Sequence, residues 1–302
     1  MEESVGENIK KRYAVVTGAN RGIGFEICRQ LASHGITVVL TGRDEKRGLE
    51  AVQKLKESDG FSDDILLFHQ LDVADSSSVA SLAEFIKNKF GRLDILVNNA
   101  GIVGAVVDVE GFRRGVEAKL VGTQDEWKSI MAETYGLAAE CLEINYYGAK
   151  RMVEAFLPLL QSSQSPRIVN VTSSSGRLQN FNNEWAKEIL GDADNLSEER
   201  VDEVLHEYLK DFREGNQETK GWPLAYSVSK ASMNAYTRIL AKKFPMFKVN
   251  CVCPGFVKTD FSFHLGRLTV QEGAEGPAML ALLPDDGPSG FSYFRKELSS
   301  FE

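Results

Sequence analysis

A tyrosine and a lysine stand four residues apart in the segment Tyr226-Ser227-Val228-Ser229-Lys230. On a helix this spacing places both side chains on one face. A lysine ammonium beside a phenol favours the phenolate and lowers the pKa of the phenol toward neutral pH. Tyr226 is therefore a candidate acid that gives a proton to a carbonyl oxygen. Because this pattern also occurs by chance in many helices, its weight depends on the residues that accompany it.

Two further polar residues lie where such chemistry would use them. Ser173 follows the apolar run 167–171, and its hydroxyl can hydrogen-bond a substrate carbonyl. Asn145 lies on the helix expected between the fourth and fifth strands. Ser174 and Ser175 adjoin Ser173, so the choice among these serines is a question of register.

A glycine-rich turn near the N-terminus reads Thr17-Gly18-Ala19-Asn20-Arg21-Gly22-Ile23-Gly24. Glycines at such a turn let the backbone approach a pyrophosphate, whose charge lies at the N-terminus of the following helix. The spacing Gly-x3-Gly-x-Gly differs from the common Gly-x-Gly-x2-Gly pattern. Because the turn joins an expected strand to an expected helix, a dinucleotide cofactor is favoured over a purely structural turn.

The residues after the second expected strand indicate which nicotinamide cofactor is used. Sites for NAD place an acidic group there, whereas sites for NADP use a cation to bind the extra phosphate. In this chain Arg43 follows the strand with no acid before it, and Arg21 supplies a second cation. A guanidinium fork suits a phosphate. We therefore predict NADPH, and Asp44 is the one residue that argues for NAD.

Buried apolar runs alternate with amphipathic helices along the chain. The expected strands cover residues 13–17, 36–41, 65–73, 93–97, 167–171, 248–252 and 291–294, the third of them opening with the apolar run 65–68 and ending at 71–73. The expected helices cover residues 23–32, 44–58, 76–90, 138–160 and 226–244. Apolar strands with helices on both faces indicate right-handed crossovers and a parallel sheet. We predict an α/β fold: a single Rossmann-type, doubly wound domain over residues 1–302.

Two insertions interrupt this scheme, at about residues 102–133 and 179–223. In the second, Ser197 is expected to cap a helix whose apolar stripe comprises Val201, Val204, Leu205, Tyr208, Leu209 and Phe212. A shorter helix is expected over residues 183–190. The stripe must pack either on its own domain or on a partner chain, and the sequence leaves both open.

The composition excludes several classes of protein. The formal net charge is −8 and no basic run is long, so we expect no nucleic-acid partner. The 4 cysteines are too few and too scattered for a disulfide framework or a zinc site, so we expect buried thiols and no metal. No secretory signal and no membrane-spanning run is visible, and we expect a cytoplasmic protein without a membrane partner.

Together these motifs resemble the short-chain dehydrogenase/reductase family over about residues 12–260. The chain carries the family's motifs in the family's order, as residues 17–24, residues 98–101, Asn145, Ser173, Tyr226 with Lys230, and residues 254–255. The run 183–187 and the long insertion are similar to the plant branch that holds salutaridine reductase and neomenthol dehydrogenase (menthone reductase). Human-type carbonyl reductase carries a similar insertion. The family spacing Ser-x2-Gly, ending at Gly176, favours Ser173.

The resemblance implies a role for each catalytic candidate. Tyr226 is the general acid and base, Lys230 bonds the nicotinamide ribose, Ser173 orients the carbonyl, and Asn145 holds a water in a proton relay. Asp72 with Val73 contacts the adenine, and the segment 254–259 contacts the carboxamide. The full set of implied cofactor residues is Gly18, Asn20, Arg21, Gly22, Ile23, Gly24, Arg43, Asp72, Val73, Asn98, Ala100, Gly101, Tyr226, Lys230, Pro254, Gly255, Val257 and Thr259.

The expected reaction is the reversible, NADPH-dependent reduction of a hydrophobic ketone or aldehyde, of terpenoid, alkaloid or reactive-aldehyde type. The alternatives are an enone C=C reductase and a non-catalytic NADP(H)-binding protein. A tetramer is a further alternative, but the second insertion is expected to cover the interface helices and leave a monomer. The expected pocket residues are Val103, Leu178, Phe181, Trp222, Phe256, Phe261 and Phe263, with His264 as a weaker candidate.

Overall fold

A computed structural model describes residues 11–118 and 124–302. Its strands are β1 (Tyr13–Val16), β2 (Thr37–Gly42), β3 (Leu66–Gln70), β4 (Ile95–Asn98), β5 (Val106–Val107), β6 (Met131–Ala132), β7 (Arg167–Val171), β8 (Lys248–Cys253), β9 (Ser292–Phe294) and β10 (Glu297–Ser299). Eight of them form one sheet in the order β10-β9-β8-β7-β4-β1-β2-β3, and β5 pairs with β6. Within the large sheet only β9 and β10 run antiparallel.

Helices cover both faces of the sheet. They are α1 (Gly22–Ser33), α2 (Glu45–Asp59), α3 (Ser76–Phe90), α4 (Val109–Glu117), α5 (Gln124–Ile130), α6 (Tyr135–Leu142), α7 (Gly148–Gln161), α8 (Glu184–Gly191), α9 (Glu198–Glu214), α10 (Ala225–Lys243) and α11 (Val270–Ala281). Side chains alternate along each strand, so Val15 packs in the core with α3, α7 and α10, while Val16 packs with α1, α2 and α11. The predicted doubly wound Rossmann-type fold is confirmed.

The predicted helix over 138–160 differs from the observed structure. It begins earlier, as α6, and a π-helical turn over Glu143–Tyr147 separates it from α7. Such a turn adds one residue to the helical repeat, which a periodicity of 3.6 does not anticipate. The turn carries Asn145, so the irregularity lies at a predicted site residue. Six of the elements named above were not predicted: α4, α5, β5 and β6 in the first insertion, and α11 and β10 near the C-terminus.

The second insertion packs on its own chain. Its helix α9 begins after Ser197, which caps it as predicted by accepting from the Arg200 backbone N–H at 3.3 Å. The apolar stripe turns inward, and Glu198 bridges Lys150 on α7 and Lys243 on α10 at 3.5 and 3.0 Å. Of the two options for the stripe, the structure shows packing within the chain, against α6, α8 and α10.

A buried carboxylate fixes the far end of α9 to the segment before α10. Asp211 is fully buried; its oxygens accept from the indole N–H of Trp222 at 2.8 Å and from Lys220 Nζ at 2.5 Å. Trp222 is itself buried and lies edge-on to Tyr208 of α9. Trp222 is therefore part of the core of the insertion, not a wall of a pocket.

Replacing Asp211 should destabilise the protein strongly. Asp211→Ala leaves the buried indole N–H without its acceptor, and we expect the free energy of unfolding to fall by about 2–4 kcal/mol. Urea unfolding measures the change. Glu214→Ala, an exposed carboxylate on the same helix, should change it by no more than about 0.5 kcal/mol. Equal losses in the two variants would contradict the role of the buried bond.

Candidate active site

A large cavity opens at the carboxyl ends of the parallel strands, where this kind of sheet places its ligands. It has a volume of about 1260 Å³. Loops after six strands contribute to its wall. They supply Gly18 and Asn20 to Gly24 after β1, Arg43 after β2, Asp72 and Val73 after β3, Asn99 to Val103 after β4, Thr172 to Ser175 after β7, and Pro254 to His264 after β8.

The glycine loop after β1 is held tightly against the end of β4. Gly18 has a φ of +61°, and a Cβ there would lie 2.9 Å from Ala100 Cα. A Cβ on Gly24 would lie 2.5 Å from the amide nitrogen of Asn99. That nitrogen donates to the carbonyls of Thr17 and Gly18 at 2.8 and 3.1 Å. Only glycine fits this cradle, which leaves the backbone and the N-terminus of α1 open to a pyrophosphate.

The two predicted phosphate-binding arginines both line the cavity. Arg43 follows β2 directly, and Arg21 Nη1 lies 2.6 Å from Asp260 Oδ2. Asp44, the residue that argued for NAD, is the N-cap of α2 and accepts from the Arg47 backbone N–H at 3.0 Å. Asp44 does not line the cavity, so the sequence-based argument for NAD finds no support in the structure.

Tyr226 and Lys230 lie in the first turns of α10 and both line the cavity. The Lys230 ammonium lies 5.6 Å from the centroid of the Tyr226 ring and donates to the Val171 carbonyl at 2.9 Å. Ser173 hydrogen-bonds the Tyr226 phenol and also accepts from the Ser175 backbone N–H at 3.1 Å. The structure thus brings three of the four predicted catalytic residues to one wall of the cavity.

The pKa of Tyr226 differs from the sequence-based expectation. Burial raises it well above its ordinary value, and the hydrogen bond with Ser173 lowers it only in part. Burial also lowers the pKa of Lys230 to about 8. The prediction that Lys230 lowers the pKa of Tyr226 is therefore wrong. Desolvation disfavours the charged form of both groups, and this effect is the larger one.

Asn145 lies behind this wall and does not line the cavity. Its side-chain oxygen accepts from the Ile102 N–H at 2.8 Å, and its nitrogen donates to the Ile102 carbonyl at 3.0 Å. The nitrogen also lies 3.0 Å from Ser229 Oγ on α10. Asn145 thus joins the π-helical turn, the loop after β4 and the helix of Tyr226. Its role in a proton relay stays a prediction.

Asn98 is the predicted cofactor residue that the structure places elsewhere. Its amide nitrogen donates to Asn170 Oδ1 at 2.9 Å, and Asn170 in turn donates to Thr237 at 2.9 Å. All three side chains are buried, and Asn98 does not line the cavity. The neighbouring Asn99, to which the sequence assigned no role, does line it. The other predicted cofactor residues all lie in the cavity wall.

Aromatic side chains form the end of the cavity away from the glycine loop. Phe112 lies 5.2, 6.0 and 6.3 Å from the ring centroids of Trp127, Phe256 and Phe263. Phe256 and Phe263 were predicted, as were Val103 and Phe261, which also line the cavity. Phe112, Val116, Trp127 and Met131 were not, although large apolar residues in a polar insertion were a signal for them.

Three predicted pocket residues belong to the core instead. Leu178, Phe181 and Trp222 are buried against the insertion helices and do not line the cavity. His264 does line it, and its Nε2 lies 2.8 Å from Asp260 Oδ1. The 4 cysteines are free and buried, as expected.

Comparison with known proteins shows which family this chain is similar to. The family model described as short chain dehydrogenase matches residues 12–185. A (+)-neomenthol dehydrogenase of Arabidopsis thaliana is 62% identical over 294 residues, covering 96% of this chain and 98% of that protein. Carbonyl reductase [NADPH] 3 of Mus musculus is 36% identical and covers 91% of this chain and 92% of its own length.

Two solved structures resemble the chain over nearly its whole length. Salutaridine reductase from Papaver somniferum has a TM-score of 0.86 and 54% identity, covering 94% of this chain and 99% of that one. Menthone neomenthol reductase from Mentha piperita has a TM-score of 0.84 and 50% identity, covering 95% of this chain and 100% of that one. The predicted family, and its plant branch, are confirmed.

The tight glycine cradle makes a specific prediction about cofactor binding. Gly18→Ala adds a Cβ beside Ala100 and strains a positive φ, so we expect the Kd for NADPH to rise about tenfold or more, which corresponds to about 1.4 kcal/mol. Gly35→Ala is the matched control, because Gly35 has a φ of +73° and open space around its Cβ. Fluorescence titration with NADPH should show an unchanged Kd for the control. A similar Kd rise in both variants would argue against the cradle.

Proposed function

The chain belongs to the short-chain dehydrogenase family, and on that premise we propose that it reduces a hydrophobic cyclic ketone to the alcohol through Tyr226. It is an oxidoreductase, and NADPH is its cofactor. The observation that carries the proposal is the shared wall on which Tyr226, Ser173 and Lys230 face one cavity. The reaction is reversible.

Each of the three side chains has a distinct task in this proposal. NADPH, when bound along the glycine loop, supplies the hydride. Ser173 donates a hydrogen bond to the carbonyl oxygen and so holds it beside the phenol of Tyr226. Tyr226 then gives its proton to the oxygen as negative charge develops there. The Lys230 ammonium, which lies over the Tyr226 ring, stabilises the phenolate that remains.

The substrate class follows from the far end of the cavity. The rings of Phe112, Trp127, Phe256 and Phe263 present flat apolar surface, and Met131 adds an adaptable side chain beside them. Such a wall suits a rigid, mostly hydrocarbon ring system with one carbonyl group. The names of the similar proteins, neomenthol dehydrogenase and salutaridine reductase, support a terpenoid or alkaloid ketone.

We further propose that the protein is a cytoplasmic monomer whose chain forms one domain. The helix α9 packs on α10 and is ion-paired to Lys150 of α7, and these are the two helices that flank β7 and that many relatives use for assembly. That packing leaves the insertion without an unpaired apolar stripe. Among the described residues, none of the helices is both long and apolar enough to cross a membrane.

Removing the Tyr226 hydroxyl tests the proposed reaction. Tyr226→Phe removes the proton donor, so we expect kcat for a cyclic ketone such as menthone to fall about 100-fold or more, with the NADPH Kd within about twofold. Tyr236→Phe is the control, since Tyr236 is also a buried tyrosine of α10 but does not line the cavity. NADPH consumption measures both rates. A Tyr226→Phe variant as fast as the control would overturn the mechanism.

The two arginines in the cavity wall generate a test of cofactor choice. Replacing Arg21 and Arg43 by serine removes two cations suited to the extra phosphate. We expect the ratio of NADH to NADPH affinity to rise about 100-fold or more, since each of the two charge-assisted bonds contributes about 1.5–3 kcal/mol. Arg47→Ser, an exposed arginine of α2 outside the cavity, should leave the ratio unchanged. An unchanged ratio in the double variant would refute the assignment.

A further inference from the structure

A carboxylate outside the cavity wall lies where the first insertion rejoins the main fold. Glu133 directly follows β6, the short strand that pairs with β5, and directly precedes the cap of α6. Met131, two residues before it, lines the cavity, and so does Trp127 on α5. The side of the cavity made by this insertion therefore ends at Glu133.

The two carboxylate oxygens of Glu133 contact two other elements. One oxygen accepts from the backbone N–H of Ala225 at 2.7 Å. The other accepts from the hydroxyl of Tyr208 at 3.4 Å. Ala225 is the first residue of α10 and stands directly before Tyr226. Glu133 thus joins the first insertion, the α9 helix of the second insertion, and the start of the helix that carries the proton donor.

This arrangement carries an energetic cost. Burial raises the pKa of Glu133 to about 7, and the hydrogen bonds from Ala225 and Tyr208 offset the burial only in part. The ionisable groups coupled to it are Tyr208 of α9, Cys141 of α6 and Lys128 of α5. A half-buried carboxyl that is poorly compensated does not stabilise a fold efficiently. The presence of a glutamate at this position is therefore better explained by function than by stability.

We propose that Glu133 is a positioning residue for the reaction, which holds the first turn of α10 against the substrate-facing insertion so that Tyr226 and the cavity wall keep a fixed separation. This inference rests on Tyr226 as the proposed proton donor. The Glu133 side chain is long enough to accept a hydrogen bond from the Ala225 N–H, and this bond holds the first turn of α10 in place. NADPH binding does not require it, because Glu133 does not line the cavity and the glycine cradle is held by Asn99 and Thr17.

Two conservative variants separate reach from charge. Glu133→Gln keeps the length of the side chain; its amide oxygen can accept from Ala225 and its amide nitrogen can donate to the Tyr208 oxygen. Glu133→Asp keeps the carboxylate but shortens it by one methylene, so it cannot hold both Ala225 and Tyr208 in the same geometry. Both variants replace the side chain by a smaller or equal one and should fold.

The experiment measures kcat and KM for menthone and the Kd for NADPH in both variants. We expect Glu133→Asp to lose about tenfold in kcat, which corresponds to about 1.4 kcal/mol, with the NADPH Kd within about twofold. Glu133→Gln should keep at least about half of the wild-type kcat. If the charge of Glu133 mattered and its length did not, the result would be the reverse: Glu133→Gln would lose kcat and Glu133→Asp would keep it.

Three results would overturn the proposal. They are an unchanged kcat in Glu133→Asp, an equal loss of kcat in Glu133→Gln, and a parallel loss of NADPH affinity, which would indicate general structural damage. Tyr226→Phe is measured alongside. If that variant keeps the wild-type rate, the proposed function itself has failed; if it loses turnover while Glu133→Asp does not, only the role of Glu133 is refuted.

Discussion

The side-chain amide of Asn145 bonds both backbone groups of Ile102, and the geometry of the site depends on that pair. Ile102 follows the loop that holds the glycine cradle, and Asn145 itself lies on a π-helical turn between α6 and α7. A third bond, to Ser229, reaches the helix of Tyr226 and Lys230. A single buried amide thereby fixes the cofactor side of the cavity relative to the proton donor. A helix without the extra residue of the π turn would direct this side chain elsewhere.

Two carboxylates, one fully buried and one half-buried, hold the insertions in a similar manner. Asp211 joins α9 to Trp222, and Glu133 joins the first insertion to Tyr208 and to the start of α10. Each lies at a junction between an insertion and the helix of the candidate acid. A polar group left without a hydrogen-bond partner at such a junction would destabilise the fold. Each junction therefore allows few alternative arrangements. The first insertion consequently acts as a fixed wall of the cavity, the second supports it from behind, and the positions of both relative to Tyr226 are set by specific bonds.

Local signals predicted the fold and most of the candidate site. The order of strands and helices follows from apolar runs and caps, and the glycine loop, Tyr226, Lys230 and Ser173 lie in one cavity because parallel strands end at one edge. The predictions that were wrong concerned residues whose positions depend on tertiary contacts. Asn98 pairs with Asn170 of the next strand, a register that no local pattern reveals. Trp222, Leu178 and Phe181 are apolar in loops, and only the packing of α9 decides that they are core.

The pKa of Tyr226 shows most clearly where sequence reasoning stops. Spacing alone places a lysine near the phenol, but the net effect depends on burial, which sequence spacing does not measure. In the structure, desolvation raises the pKa of Tyr226 and lowers that of Lys230 to about 8. A phenol with a raised pKa stays protonated at neutral pH, and the protonated form is the one that a carbonyl reduction consumes. An ordinary phenol is also protonated at neutral pH, so the raised pKa does not by itself select reduction over oxidation. What the structure adds is that burial, the largest cause for both groups, outweighs the effect that the spacing of Tyr226 and Lys230 leads one to expect.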